Sequence, residues 1–215
     1  MKPIAEGKSR LASVLSDEHR ALLSLGLLLR VVQSAEATPE IYDVVVYGGD
    51  EAVRQACKSA GVGWRQDPGK GLNGCMEYAF SEASDEGFEF GMFLPADLPL
   101  VTPEDLSTFV ETGHATTITI APDSTDDGTN ALLVDLTVNF PTILGEYSFS
   151  RHVKQAVEYE LKYAVQRSEQ LGLDIDTGAD VEQLLSISAN LWDELRNEIQ
   201  MAGLTNFLQA TEGTR

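Results

Sequence analysis

Asp97 is the residue whose type and setting most clearly suggest chemistry. It stands between two prolines in Pro95-Ala96-Asp97-Leu98-Pro99, directly after the apolar segment 88–94, which is typical of a buried strand. Open α/β sheets bind ligands at the carboxyl ends of their strands, and the prolines restrict the backbone around the acid. A rigidly held carboxylate suits a divalent metal and a phosphate-bearing substrate. The alternative is an acid that caps the next helix.

Basic residues are concentrated at the start of the chain, where Lys2, Lys8 and Arg10 lie within the first ten positions. A lysine and an arginine two residues apart, in a loop before a helix, can bind a triphosphate, the arginine through its planar guanidinium group. The alternative is an ordinary basic terminus.

The turn Gly71-Leu72-Asn73 follows Asp67 and Gly69 and combines glycine with an amide side chain. Glycines let the backbone approach a flat ring closely, and an asparagine amide can both donate and accept hydrogen bonds at the edge of a base. The motif therefore indicates a nucleotide-base site, unless Asn73 only caps the helix that follows.

Two acids alternate in Leu173-Asp174-Ile175-Asp176-Thr177. In a strand, Asp174 and Asp176 would point to the same face, where two carboxylates repel each other unless a cation lies between them. The pair is thus a second candidate for metal binding. Alternatively, Asp176 caps the final helix.

Small hydroxyl and glycine residues occur in 127–133 and again at Gly145 and Ser148, a composition that suits a phosphorylated acid. No nucleophile is indicated, because Cys75 has no histidine in register and Ser148 lacks a nucleophile-elbow context. His152 is interpreted as a packing or capping residue of a helix. We therefore favour positioning and metal-assisted charge neutralisation, which is how nucleotidyl transfers are usually catalysed.

The composition is strongly acidic, with 34 acids against 15 bases and a formal net charge of −19 in 215 residues. Such a surface repels nucleic acid and anionic membranes, so neither is an expected partner. Because the apolar content is normal, the charge indicates a folded protein from a salt-loving source rather than a disordered chain. Two cysteines without metal-like spacing fit a reducing cytoplasm.

Hydrophobic periodicity predicts strands alternating with helices, which is typical of an α/β fold with a mixed, mainly parallel sheet covered on both faces. A helix is expected over 17–36, and an amphipathic helical tail from 180 onward would pack on the domain or on a partner subunit. The predicted strands are 41–47, 61–66, 88–94, 116–121, 129–134, 163–166 and 171–175.

As an ordered set, these motifs resemble the CofC family, the 2-phospho-L-lactate guanylyltransferases, over about residues 1–185. The motifs that carry the resemblance are Lys2-Pro3, Lys8-Ser9-Arg10-Leu11, Gly71-Leu72-Asn73, Pro95-Ala96-Asp97-Leu98-Pro99, Gly128-Thr129-Asn130-Ala131-Leu132-Leu133, Ser148-Phe149 with His152, and Leu173-Asp174-Ile175-Asp176-Thr177. The resemblance implies a GT-A-like nucleotidyltransferase fold, akin to the molybdenum-cofactor guanylyltransferases. It also implies transfer of GMP from GTP to 2-phospho-L-lactate or phosphoenolpyruvate in coenzyme F-420 biosynthesis.

The resemblance also implies roles for individual residues. The residues that would bind the phosphates of GTP are Lys2, Lys8 and Arg10, with Lys8 and Arg10 acting in catalysis. Those on the guanine side are Gly71, Leu72 and Asn73. Asp97 would be catalytic and bind Mg²⁺, with Asp174 or Asp176 as the second acid. The residues that would bind the phosphorylated acid are Thr129, Gly145 and Ser148.

The resemblance leaves the ends of the chain open. Family members open with an apolar strand ahead of the Lys-Pro element, so we expect the natural start to lie upstream of Met1, or else the fold lacks a central strand. We expect residues 1–185 to form the nucleotidyltransferase domain and residues 186–215 a helical extension, in a cytoplasmic homodimer. Competing hypotheses are a catalytically idle nucleotide-binding subunit and a sugar-phosphate nucleotidyltransferase of the same fold.

Overall fold

The longest element is helix α1, Asp17–Glu36, and its bounds match the prediction. Ser16 caps it by accepting a hydrogen bond from the His19 amide at 3.2 Å. Most of its leucines are fully buried, so α1 forms a core helix with little exposed apolar surface. The computed structural model of the protein describes residues 1–209, and none of the helices in that range combines the length and the apolar character that a membrane span requires.

The described residues form two compact units. Unit 1 contains Met1–Gln66, Ala96–Pro99 and the chain from Asp174 onward, whereas unit 2 contains Asp67–Pro95 and Leu100–Leu173. These boundaries do not follow the expected division at residue 185. The last residues of the expected helical extension, 210–215, lie outside the described residues. The division of the chain into residues 1–185 and 186–215 stays a prediction.

Unit 1 combines five α-helices and two 3-10 turns with a two-stranded parallel sheet in the described part of the chain. Its elements are 3-10 turns at Ile4–Glu6 and Ser9–Ser13, α1, β1 (Val45–Tyr47), α2 (Glu51–Ala60), β2 (Gly63–Arg65), α7 (Gly178–Ile187), α8 (Leu191–Met201) and α9 (Thr205–Gln209). Strand β1 is shorter than the predicted 41–47, and it pairs in parallel with β2, so that Val45 lies opposite Gly63. The predicted long C-terminal helix is divided into α7, α8 and α9.

Helix α8 packs against α1 of the same chain. A Cβ atom on Gly26 would lie only 2.5 Å from Leu195 Cδ2, so a glycine is required where the two helices approach. At the edge of this contact, the Arg30 guanidinium donates to Glu198 at 2.8 Å and to Glu194 at 3.0 Å. The sequence left open whether the C-terminal segment packs on its own domain or on a partner subunit. In the structure, α8 packs within its own chain.

Asp50 joins the N-terminal segment to helix α2. Its Oδ1 accepts hydrogen bonds from the Ala52 and Val53 amides at 3.1 and 3.2 Å, and its Oδ2 accepts one from the Ile4 amide at 2.8 Å. We expect Asp50→Ala to lower the free energy of unfolding by about 1–2 kcal/mol, because buried donors lose their acceptors. Urea unfolding measures this loss. The stability of Asp50→Asn, which keeps one acceptor oxygen, should lie between those of the wild type and Asp50→Ala. Equal stability of all three proteins would contradict the capping role.

Unit 2 is built on a four-stranded mixed sheet whose strand order is β3-β5-β4-β6. Its elements are α3 (Gly71–Asp85), β3 (Phe90–Phe93), α4 (Pro103–His114), β4 (Ile118–Pro122), β5 (Thr129–Asp135), α5 (Ser148–Glu158), β6 (Tyr163–Val165) and α6 (Glu169–Gly172). One buried cluster joins the sheet to α5 and to the segment before it. Its members are Ile118, Ile120, Leu132, Val134, Phe140, Phe149 and Ala156.

The two sheets contain less parallel pairing than predicted. Of the four described strand pairs, β1–β2 and β4–β6 are parallel, whereas β5 is antiparallel to both β3 and β4. For β4 and β5, the physical reason is the short loop between them, which returns the chain directly and leaves no room for the crossover that parallel neighbours need.

The prediction of a strand over 171–175 is wrong. The chain forms the single helical turn α6 and then continues without strand pairing. The carbonyls of Leu171 and Gly172 accept hydrogen bonds from the Asn130 side-chain amide at 3.0 and 3.2 Å, so a side chain takes the place of a neighbouring strand. Asp174 and Asp176 therefore do not share one face of a strand, contrary to the prediction.

Candidate functional site

Lys8 lies at the centre of a cluster of oxygen atoms in unit 1. Its ammonium donates to Asp97 Oδ2 at 2.5 Å and to the Ile175 carbonyl, and it lies 3.6 Å from Asp176 Oδ1. The Lys8 side chain is 10% exposed. The structure thus brings together the basic motif, the acid between the prolines and one acid of the alternating pair, although they are far apart in sequence.

Arg10 extends the same cluster toward solvent. Its Nη1 atom donates to Asp176 Oδ2 at 2.9 Å, while the side chain is 78% exposed. A guanidinium has five N–H donors, so most of its hydrogen-bonding capacity faces outward and can bind an anion. Lys2, the third predicted phosphate ligand, is exposed, and its role stays a prediction.

Local structure holds both acids in place. Leu98, next to Asp97, is fully buried and anchors the turn between the prolines. At the start of α7, Thr177 accepts from the Asp180 amide, and the Asp180 carboxylate accepts from the amides of Thr177 and Asp176. Thr177 is therefore the cap of the helix, and the Asp176 carboxylate remains available for Lys8 and Arg10.

The oxygen atoms around Lys8 fit a magnesium ion as well as an ammonium group. Two carboxylates and one carbonyl converge there, and Mg²⁺ prefers oxygen ligands, usually one or two carboxylates completed by substrate phosphates and water. Within residues 1–209, no group of three or more His, Cys, Asp or Glu side chains could hold a metal ion by itself. Asp174, the other predicted ligand, is half-buried, and its role stays a prediction.

The Gly71-Leu72-Asn73 motif forms the first turn of α3 rather than a loop. Gly71 has a φ of +71°, a backbone conformation that favours glycine. The Asn73 amide does not cap the helix. Its Oδ1 accepts from the Leu144 amide at 2.7 Å and its Nδ2 donates to the Leu144 carbonyl at 3.2 Å. Asn73 thus fixes the segment before Gly145, and the guanine-side role of this motif stays a prediction.

Gly145 and Ser148 meet at the N-terminal turn of α5 in unit 2. Gly145 has a φ of +112°, and its carbonyl accepts from the Ser148 amide at 3.0 Å. The Phe149 amide donates to the Asp127 carbonyl at 3.1 Å, which ties this turn to the start of β5, where Thr129 lies. The Ser148 hydroxyl is fully buried and has no hydrogen-bond partner among the described residues.

His152 connects Thr129 to this turn. It lies four residues after Ser148, on the same face of α5, and both residues are fully buried. Its Nδ1 lies 3.0 Å from Thr129 Oγ1, and its Nε2 accepts from the Ile143 amide at 3.1 Å. Burial lowers the pKa of His152 to about 4, with a further contribution from Arg151, so the ring is neutral at physiological pH. The sequence interpretation as a packing or capping residue missed both contacts.

Asp123 is a second residue that the sequence interpretation missed. Its carboxylate accepts hydrogen bonds from the amides of Thr125, Asp127 and Gly128, at 3.0, 2.9 and 2.8 Å. These bonds outweigh the effect of burial and lower the pKa of Asp123. The signal in the sequence is an aspartate that opens a short polar loop, the pattern of an Asx turn. Asp123 thereby orders the loop that leads into Thr129.

The two cysteines are not suited to nucleophilic catalysis. Cys57 and Cys75 are both buried and free. Burial raises the pKa of the Cys57 thiol to about 11 and also raises that of Cys75. Since the thiolate is the reactive form, both side chains act as small apolar residues at neutral pH.

The whole fold is similar to solved nucleotidyltransferase structures. A candidate nucleotide-diphospho-sugar transferase from Desulfovibrio desulfuricans aligns with a TM-score of 0.74 at 16% identity, covering 98% of this chain and 93% of the other. A nucleotidyl transferase from Methanothermobacter aligns with a TM-score of 0.57 at 14% identity, covering 76% and 79%. These likenesses confirm the predicted α/β nucleotidyltransferase fold.

Sequence relatives specify the family within that fold. A phosphoenolpyruvate guanylyltransferase of Rubrobacter xylanophilus is 32% identical over 185 residues, covering 86% of this chain and 90% of the relative. A 2-phospho-L-lactate guanylyltransferase of Methanocaldococcus vulcanius is 29% identical over 184 residues, covering 86% and 81%. The family described as guanylyl transferase, CofC-like, matches residues 1–191. The predicted resemblance is therefore confirmed, and the chain belongs to the CofC-like guanylyl transferase family.

Proposed function

We propose that this protein transfers GMP from GTP to a phosphorylated three-carbon acid, 2-phospho-L-lactate or phosphoenolpyruvate, and releases pyrophosphate. Relatives named for each acceptor cover most of the chain, at 32% and 29% identity. The product would serve the biosynthesis of coenzyme F-420. The structure named as a candidate nucleotide-diphospho-sugar transferase shares only the fold, at 16% identity, so it does not favour a sugar phosphate as the acceptor.

The observation that carries this proposal is the cluster of Lys8, Arg10, Asp97 and Asp176. Two bases meet two acids there, so the cluster has no formal excess of positive charge, within a chain of net charge −19. A triphosphate would gain little from such a cluster alone. A divalent cation added between the carboxylates would supply the missing charge and release Lys8 and Arg10 toward phosphate oxygens.

In the proposed reaction, a phosphate oxygen of the acceptor attacks the α-phosphorus of GTP in line with the departing group. A new P–O bond forms to the acceptor, and the bond from the α-phosphorus to the bridging oxygen breaks, so that pyrophosphate leaves with the electron pair. Lys8 and Arg10 would stabilise the charge on the α-phosphate and on pyrophosphate, since both are donors held in place before reaction.

Magnesium would be held by the carboxylates of Asp97 and Asp176, with Asp174 as a further candidate. When bound, it would neutralise charge on the phosphate oxygens and orient them. The metal assignment is supported by the convergence of Asp97, Asp176 and the Ile175 carbonyl on one ammonium group.

The acceptor would bind at the N-terminal turn of α5 through Thr129, Gly145 and Ser148. Two buried hydroxyls carry this assignment: that of Ser148 has no partner among the described residues, and that of Thr129 lies 3.0 Å from His152 Nδ1. Gly71, Leu72 and Asn73 remain the proposed contacts on the guanine side. We also propose that the protein acts as a homodimer.

The test is an assay of pyrophosphate release with GTP, MgCl₂ and each acceptor, with the product identified by mass spectrometry. We expect turnover with GTP in preference to ATP, CTP and UTP, and with at least one of the two acids. Because the net charge of −19 favours concentrated salt, the assay is run at low and high KCl. Binding of GTP without turnover would favour an idle nucleotide-binding subunit, and turnover only with a sugar phosphate would overturn the proposed acceptor.

A further inference from the structure

The hydrogen bonds of His152 determine which of its ring nitrogens carries the proton. Nε2 lies 3.1 Å from the backbone nitrogen of Ile143, and a backbone N–H can only donate. Nε2 must therefore accept, so it carries no proton. A neutral imidazole then has its proton on Nδ1. The opposite arrangement would place two N–H groups face to face in a fully buried position.

The proton on Nδ1 in turn fixes the polarity of the contact with Thr129. Nδ1 lies 3.0 Å from Thr129 Oγ1, so the ring donates and the hydroxyl oxygen accepts. The hydroxyl hydrogen of Thr129 must then point away from the ring. Among the residues that the structure describes, none accepts this hydrogen, and Thr129 itself is only 7% exposed. Thr129 is thus left as a buried hydrogen-bond donor whose acceptor must come from outside the described protein groups.

We infer that His152 is a positioning residue that directs the hydroxyl hydrogen of Thr129 at an anionic oxygen of the acceptor, a carboxylate or phosphate oxygen. This inference rests on the proposed function, because it concerns the proposed acceptor site. Ionised carboxylate and phosphate oxygens only accept hydrogen bonds, so they match a hydroxyl whose hydrogen is directed away from the ring.

The other side of the ring orders the segment before Gly145. His152 holds the Ile143 amide, and Asn73 holds both the amide and the carbonyl of Leu144. The Arg151 guanidinium donates to the Ile143 carbonyl at 3.0 Å. One neutral ring therefore positions Thr129 on one side and the segment that leads into Gly145 on the other.

Two substitutions separate the functions of the two ring nitrogens. In His152→Asn, the side-chain amide corresponds in position to Nδ1 and can still donate to Thr129, but it cannot reach Ile143. In His152→Gln, the amide corresponds to Nε2 and can still accept from Ile143, but it leaves the Thr129 hydroxyl free to rotate. We expect His152→Gln to raise the KM of the acceptor by about 10- to 100-fold, with the KM of GTP unchanged, since a hydrogen bond to a charged group is weakened.

The His152→Asn variant should keep most of the acceptor affinity that the His152→Gln variant loses. If the role of His152 were purely structural, each variant would lose acceptor affinity in proportion to its loss of thermal stability. The proton position is measured separately, from the ¹⁵N shifts of the ring in the unliganded protein. Only three histidines are present, so the His152 signals are assigned by comparison with the variants. We expect a protonated Nδ1 and an unprotonated Nε2.

The outcomes distinguish this inference from the proposed function. Thr129→Val should raise the acceptor KM as His152→Gln does, whereas Thr129→Ser should keep it near the wild-type value. If Thr129→Val leaves the acceptor KM unchanged, the proposed acceptor site itself is overturned. If Thr129→Val weakens acceptor binding but His152→Gln does not, or if Nε2 carries the proton, the role of His152 is overturned while the acceptor site stands.

Discussion

Replacing Asp97 with asparagine is expected to lower kcat/KM for GTP on the order of 100- to 1,000-fold, as the loss of one preorganised electrostatic contact does in other active sites. Asparagine has nearly the same shape as aspartate but lacks its charge. The Lys8 ammonium, 2.5 Å from Asp97 Oδ2 and 10% exposed, would lose its closest counter-ion, and a metal ion would lose a carboxylate ligand. Pyrophosphate release at saturating acceptor measures the effect.

The matched control is Asp85→Asn, which removes the same charge from an exposed position at the end of α3. It should keep wild-type turnover. Titration of GTP binding with and without MgCl₂ adds a measurement that does not depend on turnover, and Asp97→Asn should lose most of the magnesium-dependent gain in affinity. Unchanged turnover and binding in Asp97→Asn would remove Asp97 from the mechanism.

Truncation of Leu195 to alanine is expected to lower the free energy of unfolding by about 2–5 kcal/mol, the range observed for buried leucines. Leu195 is fully buried on α8, and its side chain fills the space that the missing Cβ of Gly26 leaves on α1. The cavity cannot collapse easily, because the ion pairs of Arg30 with Glu194 and Glu198 hold the two helices together beside it.

Urea unfolding at a fixed protein concentration measures the effect of Leu195→Ala. The control is Met201→Ala, which truncates a side chain of the same helix that is 89% exposed and should change the stability little. If Leu195→Ala were no more destabilising than Met201→Ala, α8 would not be part of the core around α1. The C-terminal helices would then pack on a partner subunit, the alternative that the sequence left open.

Sequence reasoning succeeded where the signal is local. The apolar periodicity of residues 17–36 predicts α1 with its observed bounds, and Ser16 caps the helix in the structure. Such signals act over a few residues, through backbone donors that need a nearby acceptor and through the periodicity of apolar side chains. The structure also pairs Lys8 with Asp97, two residues that the sequence puts forward as candidates, while their roles stay predictions.

Sequence reasoning failed where a distant side chain replaces a backbone partner. The segment 171–175 has the apolar alternation of a strand, yet the Asn130 amide takes the carbonyls that a strand would offer to its neighbour. Asn73 resembles a helix cap, yet both polar atoms of its amide bind Leu144, 71 positions further along the chain. No periodicity within either segment carries information about a partner so far away.

The sequence by itself determined the family and the α/β class, and it put forward the candidate residues of a nucleotidyl-transfer site. Only the tertiary structure decided how these residues are paired: Lys8 with Asp97 and Asp176, and His152 with Thr129 and Ile143. The physical reason is that burial forces each polar group to find a partner, and packing determines which partner lies within reach. The direction of the Thr129 hydroxyl follows from that pairing.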